Sequence, residues 1–189
     1  MSDAQIQLKA KHALCELYRD ASNVGWIHVF LEPFEFNDEV HETCIRLYDV
    51  QGVDARLSRT AGKVLKFPCH PTGDDIDGSL YLCGRHHTVD VHELVFGLHG
   101  GHTVPLTVLG TLTLTGWPEV PPVALDLMTH VVLPLTQQEI EDSVDQAIRM
   151  TGATSLKQLG KVMAHIRPTL HYDSEPALVA AQAIKILSD

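Results

Sequence analysis

Almost perfect alternation of apolar and polar residues in one stretch, Thr103 to Thr115, constrains the fold of this 189-residue chain more than any other feature. Apolar residues recur at the even positions and threonines at most odd ones: Val104, Leu106, Val108, Leu112 and Leu114 against Thr103, Thr107, Thr111, Thr113 and Thr115. Successive side chains of a strand face opposite sides of a sheet, so the pattern predicts a long strand with one buried face and one threonine face.

A second apolar segment, Val89 to Phe96, precedes this strand, and Gly100-Gly101 lies between the two. Glycine accepts the positive φ of a tight turn, so the pair predicts a β-hairpin. Further β segments and turns follow one another from Gly25 to Leu135, which predicts an antiparallel sandwich or a barrel-like domain.

The N-terminal segment has a different period. Apolar residues at helical spacing (Ile6, Ala10, Ala13, Leu14 and Leu17) predict a helix from Asp3 to about Asn23, with Asp3 as its N-cap. Its simplest role is to cover one face of the sheet, and the alternative is a helix that docks a partner.

Composition limits the classes of function. The formal charge of −10 argues against a broad electrostatic footprint for nucleic acid or an anionic membrane, although a local basic face remains compatible with it. The chain has no apolar run of about 18 residues that could span a membrane, and its N-terminus lacks an apolar signal core. We therefore expect a cytoplasmic protein with no membrane partner. Its scattered cysteines (Cys15, Cys44, Cys69 and Cys83) are expected to be reduced.

Residues 136–189, the helical tail, form a second predicted domain after the helix and β-domain of residues 1–135. Thr136 and Glu139 have the spacing of a capping box, which predicts a helix that ends near Gly152. A second helix is predicted from Thr154 to about His165, and a third follows Ser174 with Pro176 in its first turn. The overall prediction is an α+β protein with a three-helix tail.

The tail resembles the YqeY-type domain, which also ends the B subunit of tRNA-dependent amidotransferases. The residues that carry the resemblance are Thr151, Gly152, Ala153, Ser155, Lys157, Gly160, Lys161, Val162, Met163, Arg167 and Pro168. Leu156 replaces the usual methionine, and His165 and the acidic Tyr172-Asp173 link depart from the more basic linker of the family. The resemblance covers roughly a quarter of the chain and implies contact with RNA, in particular with tRNA.

The residues of the second predicted helix agree with that implication. Lys157, Lys161 and His165 recur every four positions, which places them on one helix face, and Arg167 follows directly. Cationic side chains on such a face can neutralise backbone phosphates, although a solvated charged face is the common alternative.

Histidines suggest a metal site in the β-domain. Cys83, His86 and His92, together with His70 or Cys69 from an upstream loop, could supply four ligands to zinc. An open coordination position would allow metal-assisted hydrolysis with Asp90 or Glu93 as the base. The spacing matches no strict zinc motif, and histidines that only stabilise the fold or lie on the surface are the alternative.

No nucleophile elbow, phosphate-binding loop or dinucleotide fingerprint is present in the sequence. The function predicted is therefore non-enzymatic binding or assembly, in which the tail contacts a partner protein or RNA and no cofactor is needed. Two alternatives stay open: a zinc-dependent hydrolase that uses the face of His86 and His92, and an acidic inhibitor or immunity-type protein that masks a basic partner. The threonine face would also allow a homo-oligomer.

Overall fold

Ten β-strands and three α-helices are formed by the residues that the computed structural model describes, namely 6–17, 24–53, 59–68, 76–98, 100, 103–132, 137–170 and 175–188. The chain divides into two compact units, Met1–Leu133 and Pro134–Asp189. The strands lie in the first unit and the helices in the second, so the protein is of the α+β class, as its sequence predicts.

The strands in chain order are β1 (Ala10–Leu17), β2 (Val24–Leu31), β3 (Phe34–Phe36), β4 (Glu39–His41), β5 (Cys44–Gln51), β6 (Val64–Lys66), β7 (Asp77–Leu82), β8 (Arg85–Phe96), β9 (Thr103–Thr113) and β10 (Val123–Val132). The helices are α1 (Gln137–Thr151), α2 (Leu159–Ile166) and α3 (Glu175–Ser188). Short 3₁₀ turns at Leu156–Gln158 and Arg167–Thr169 flank α2.

Seven strands close into a barrel in the order β8-β7-β5-β2-β1-β10-β9, with β9 pairing back onto β8. Neighbouring strands are antiparallel except β1 and β10, which pair in parallel through Ala13 with Val131 and Leu14 with Val132. A closed ring with an odd number of strands requires at least one parallel pair. Closure removes the free edges of the ring of strands. The sequence predicted either a sandwich or a barrel, and the structure is a barrel.

The predicted central hairpin is confirmed by β8 and β9, which pair from Thr88 with Thr113 to Phe96 with Leu106. Apolar side chains predicted to share a face are all buried in the barrel core: Val104, Leu106, Val108, Leu112 and Leu114. The threonines of β9 alternate with them and are half-buried or exposed. The turn residue Gly101 lies outside the described residues.

The predicted N-terminal helix is wrong. Ala10–Leu17 is strand β1, which pairs with both β2 and β10. Ala13 and Cys15 point into the core and are 0% and 3% exposed. Over eight residues an apolar pattern fits both the helical and the strand period, and the two partners that close the barrel decide between them.

Three tail helices are formed, as predicted, although the second begins at Leu159 and not at Thr154. They enclose a separate apolar core: Ile140, Val144, Ala147, Ala153, Val162, Ile166, Val179 and Ala183. Gly152 has a φ of 63°, and the Ala153 N–H donates to the Ile148 carbonyl at 3.3 Å. Gly152 therefore ends α1 in the left-handed conformation, which glycine adopts more easily than other residues, and the Ala153 hydrogen bond caps the helix. The predicted cap Thr136 lies outside the described residues. No helix in the described part of the chain is long and apolar enough to cross a membrane.

Candidate functional site

The four basic residues predicted on the second tail helix are all exposed. Lys161 and His165 lie one turn apart on α2, whereas Lys157 belongs to the preceding 3₁₀ turn and Arg167 begins the turn that follows. Val162 and Ile166 of α2 are buried in the tail core. The helix therefore buries its apolar side and leaves its basic side to solvent.

Lys157 follows a loop that is held by its neighbour Gln158. The Gln158 Oε1 accepts from the backbone N–H of Thr154 at 2.7 Å and from the Thr154 hydroxyl at 3.4 Å. Gln158 has a ψ of 4°, which breaks the continuous helix predicted from Thr154 to His165. Consequently, only Lys161 and His165 lie on one face of a continuous α-helix, and Lys157 does not share that helix.

No carboxylate among the described residues lies within 4.0 Å of the cationic atoms of Lys157, Lys161, His165 or Arg167. On α1, Glu141 and Asp142 instead accept hydrogen bonds from the side-chain amides of Gln137 and Gln138, at 2.9 and 3.0 Å. The basic side chains are thus available to an external anion.

Two of the predicted zinc ligands, His86 and His92, do not meet at one point. They lie six residues apart on β8, which corresponds to about 20 Å along an extended strand, while Zn–N bonds are about 2 Å long. A register shift between Val91 and Glu93 also puts His92 at a β-bulge. The described residues contain no group of three histidine, cysteine or carboxylate side chains that could hold a metal ion.

His70 and its alternative Cys69 lie outside the described residues, so the zinc hypothesis stays a prediction. The separation along β8 argues against ligation of a single ion by His86 and His92 together. Metal analysis of the purified protein tests the hypothesis directly. Stoichiometric zinc that is lost in His86→Ala and also in His92→Ala would support it.

Cys83 has a neighbour that the sequence did not predict. It forms the tight β7–β8 turn with Gly84, and both residues have positive φ, 48° and 77°. Its Sγ lies 3.9 Å from the Nε2 of His41, and that nitrogen is 3.0 Å from the Phe36 carbonyl oxygen. Only the tertiary fold brings Cys83 and His41 together, because they are 42 positions apart.

His87 is the buried histidine of β8, at 1% exposure. Its Nε2 donates to the Leu82 carbonyl at 3.1 Å, and its Nδ1 has no partner among the described residues. Burial lowers the pKa of His87 below 6.5, with Arg85 and His86 acting in the same direction and the Leu82 hydrogen bond opposing it. The ring packs 5.4 Å from Trp117, which also lies under the Arg85 guanidinium. Alternation along β8 could have shown that His87 faces inward.

A second unpredicted feature is an aromatic platform on the outer face of the barrel, formed by Trp26, His28, Phe30, Tyr48 and Tyr81 on β2, β5 and β7. The residues of β2 between them, Ile27 and Val29, are fully buried, so the rings alternate outward. Trp26 and His28 have ring centroids 4.2 Å apart, and His28 meets Tyr48 edge-on at 5.9 Å.

An open cleft of about 480 Å³ adjoins this platform. Its walls include Phe30 and Tyr81 together with Lys11, Arg46 and Glu42. Arg46 is exposed, and its guanidinium donates hydrogen bonds to the side chains of Cys44 and Tyr48. These contacts raise the pKa of Arg46 and orient the guanidinium. The sequence is rich in aromatic residues after Gly25, but it offers no means of placing Arg46 beside them.

Comparison with known families bears on the tail. A family model described as "Yqey-like protein" matches residues 127–187, which is 61 of the 189 residues. The helical tail is YqeY-like. The match extends over all three helices and confirms the resemblance drawn from the run between Thr151 and Pro168. No curated protein and no solved structure matches the chain.

Proposed function

We propose that this protein is a non-enzymatic binding protein whose YqeY-like tail contacts RNA through Lys157, Lys161, His165 and Arg167. The supporting observation is that these four side chains are exposed around α2 and have no carboxylate partner among the described residues. The resemblance to a tail associated with tRNA in the amidotransferases favours RNA over other polyanions.

The electrostatics of the tail make the proposal specific. Residues 136–189 carry five Lys/Arg and seven Asp/Glu, a formal net charge of −2, so binding must depend on a local face. Lys157, Lys161 and Arg167 are cationic at neutral pH, and neutralisation of three phosphates predicts a log–log salt slope of about −2 to −3.

The experiment is fluorescence anisotropy of labelled bulk tRNA with the full-length protein across a salt series. The variant is Lys157→Glu/Lys161→Glu, and the matched control is Lys185→Glu, which makes the same kind of charge change at an exposed position of α3. We expect wild type and Lys185→Glu to bind with the same salt slope, and the double variant to bind tRNA more weakly, with a slope reduced by about 1.4 to 1.8 because two phosphate contacts are lost.

Two results would overturn the proposal: no binding by wild type even at low salt, or a double variant that binds like wild type. Either result would favour the interpretation in which the tail docks a partner protein. A pull-down with wild type and the double variant would then compare captured proteins directly.

A further inference from the structure

We infer that the aromatic platform and its cleft bind a single-stranded RNA segment, with bases stacked on Phe30 and Tyr81 and a phosphate held between Lys11 and Arg46. The choice of RNA over DNA rests on the function proposed above, whereas the stacking site itself rests on the barrel alone.

The distribution of aromatic residues is the first argument for this site. The chain has 11 phenylalanine, tryptophan and tyrosine residues, and four of them point outward on three adjacent strands: Trp26, Phe30, Tyr48 and Tyr81. The outer face of β9, in contrast, carries no aromatic residue and is mostly threonine, with Pro105 and Leu109 between the threonines. Phe96 points inward and is buried, whereas Trp26, Phe30 and Tyr48 are half-buried on the outer face and Tyr81 is 50% exposed, so Tyr81 offers the most ring surface to a ligand.

The rings are held in place before any ligand arrives. The imidazole of His12 stacks on Phe30 at 4.7 Å with an interplanar angle of 14°, and Tyr81, 50% exposed, meets His86 edge-on at 5.1 Å. Ordered rings lose little entropy when a base stacks on them. Tyr81 lines the cleft while half of its surface stays exposed.

Charge indicates the kind of ligand. Lys11 and Arg46 are exposed cations at the cleft, against the single carboxylate of Glu42. Proteins that bind single-stranded nucleic acid without sequence preference stack the bases on aromatic side chains and place cationic side chains along the phosphate backbone. Tyr81 is the single exposed large apolar side chain in the described parts of β1, β2, β5 and β7. These strands therefore present no exposed aliphatic patch on which a protein could dock.

The probe is a labelled oligouridine of about 15 nucleotides, long enough for one stacking site and too simple to fold. Tyr81→Ala is expected to weaken binding about 5- to 150-fold, the range for removal of one base–aromatic stack, and Tyr81→Phe is expected to stay within about twofold. Arg46→Gln should reduce the salt slope by about 0.7, since one phosphate contact is lost.

Two controls separate this site from the tail. Met128→Ala shortens a 77%-exposed side chain on β10 and should leave binding unchanged. Lys157→Glu/Lys161→Glu should retain oligouridine binding, whatever its effect on tRNA. The inference is overturned if wild type does not bind oligouridine, if Tyr81→Ala binds it as tightly as wild type, or if oligothymidine binds more tightly than oligouridine. None of these results depends on the tRNA experiment.

Discussion

His12 of β1 and Phe30 of β2 stack face to face across the strand pair, with ring centroids 4.7 Å apart. The two residues are register partners, so their contact depends on Ala10–Leu17 being a strand. Had the N-terminal segment formed the predicted helix, β2 would lack this neighbour and the barrel would be open. One pairing therefore both closes the core and orders a ring of the outer cleft.

Removal of a core side chain from the barrel should cost far more than removal of the same side chain from its surface. Leu80 of β7 is 0% exposed and Leu98, after β8, is 82% exposed. We expect Leu80→Ala to lower the free energy of unfolding by about 2–5 kcal/mol and Leu98→Ala to change it by less than about 0.5 kcal/mol. Urea denaturation of both variants measures the difference. Equal losses would contradict the placement of Leu80 in the core.

Two glycines should respond to alanine with opposite signs. A Cβ on Gly110 of β9 would collide with the backbone carbonyl oxygen of Asp90 on β8, so we expect Gly110→Ala to destabilise the protein by about 1–3 kcal/mol. A Cβ on Gly160 of α2 would meet no atom within 4 Å beyond its own helix backbone and chain neighbours, so Gly160→Ala should stabilise the tail by about 0.4–1 kcal/mol. Thermal melts followed by circular dichroism test both. A stabilising Gly110→Ala would disprove the close approach of β8 and β9.

The buried His87 should make the barrel sensitive to acid. Its folded pKa lies below the unfolded value of 6.5 because burial disfavours the charged ring, so the unfolded state takes up the proton first. Stability is then highest above pH 6.5 and falls as the pH drops from 6.5 through the lowered folded pKa. The pKa of His28, also lowered by burial and by Arg46, contributes in the same direction.

We expect His87→Gln to flatten this dependence, by up to about 1.4 kcal/mol per pH unit for one proton. The measurement is the free energy of unfolding from urea titrations between pH 5 and pH 8. Leu98→Ala, at an exposed position after β8, removes no titratable group; it is the control and should keep the wild-type slope. A variant His87→Gln with the wild-type slope would show that other groups control the acid response.

Thiol reactivity should divide the cysteines by their position in the barrel. Cys15 points into the core, and burial, with a smaller effect of Glu16, raises the pKa of its thiol to about 12. Cys44 and Cys83 are half-buried. We expect iodoacetamide to label Cys44 and Cys83 in the native protein and Cys15 only in denaturant, as read by peptide mass spectrometry. Labelling of native Cys15 at the rate of Cys83 would contradict the barrel orientation of β1.

Local sequence patterns are sufficient to predict the β9 strand, the central hairpin and the helical tail. Each depends on local information: a period of two sustained from Thr103, a glycine pair, and caps or stops such as Gly152. The YqeY resemblance was also local, because its motif from Thr151 to Pro168 lies in one continuous run that the family match confirms.

Strand β1, the separation of His86 from His92 and the outer cleft depend on contacts between distant parts of the chain. The short apolar pattern around Ala13 suits a helix or a strand, and pairing with the distant Val131 makes it a strand. His86 and His92 share a parity yet are separated along β8, and Arg46 joins Tyr81 because β5 and β7 are neighbours. Strand order and register are set by non-local pairing and closure, and no single segment encodes them.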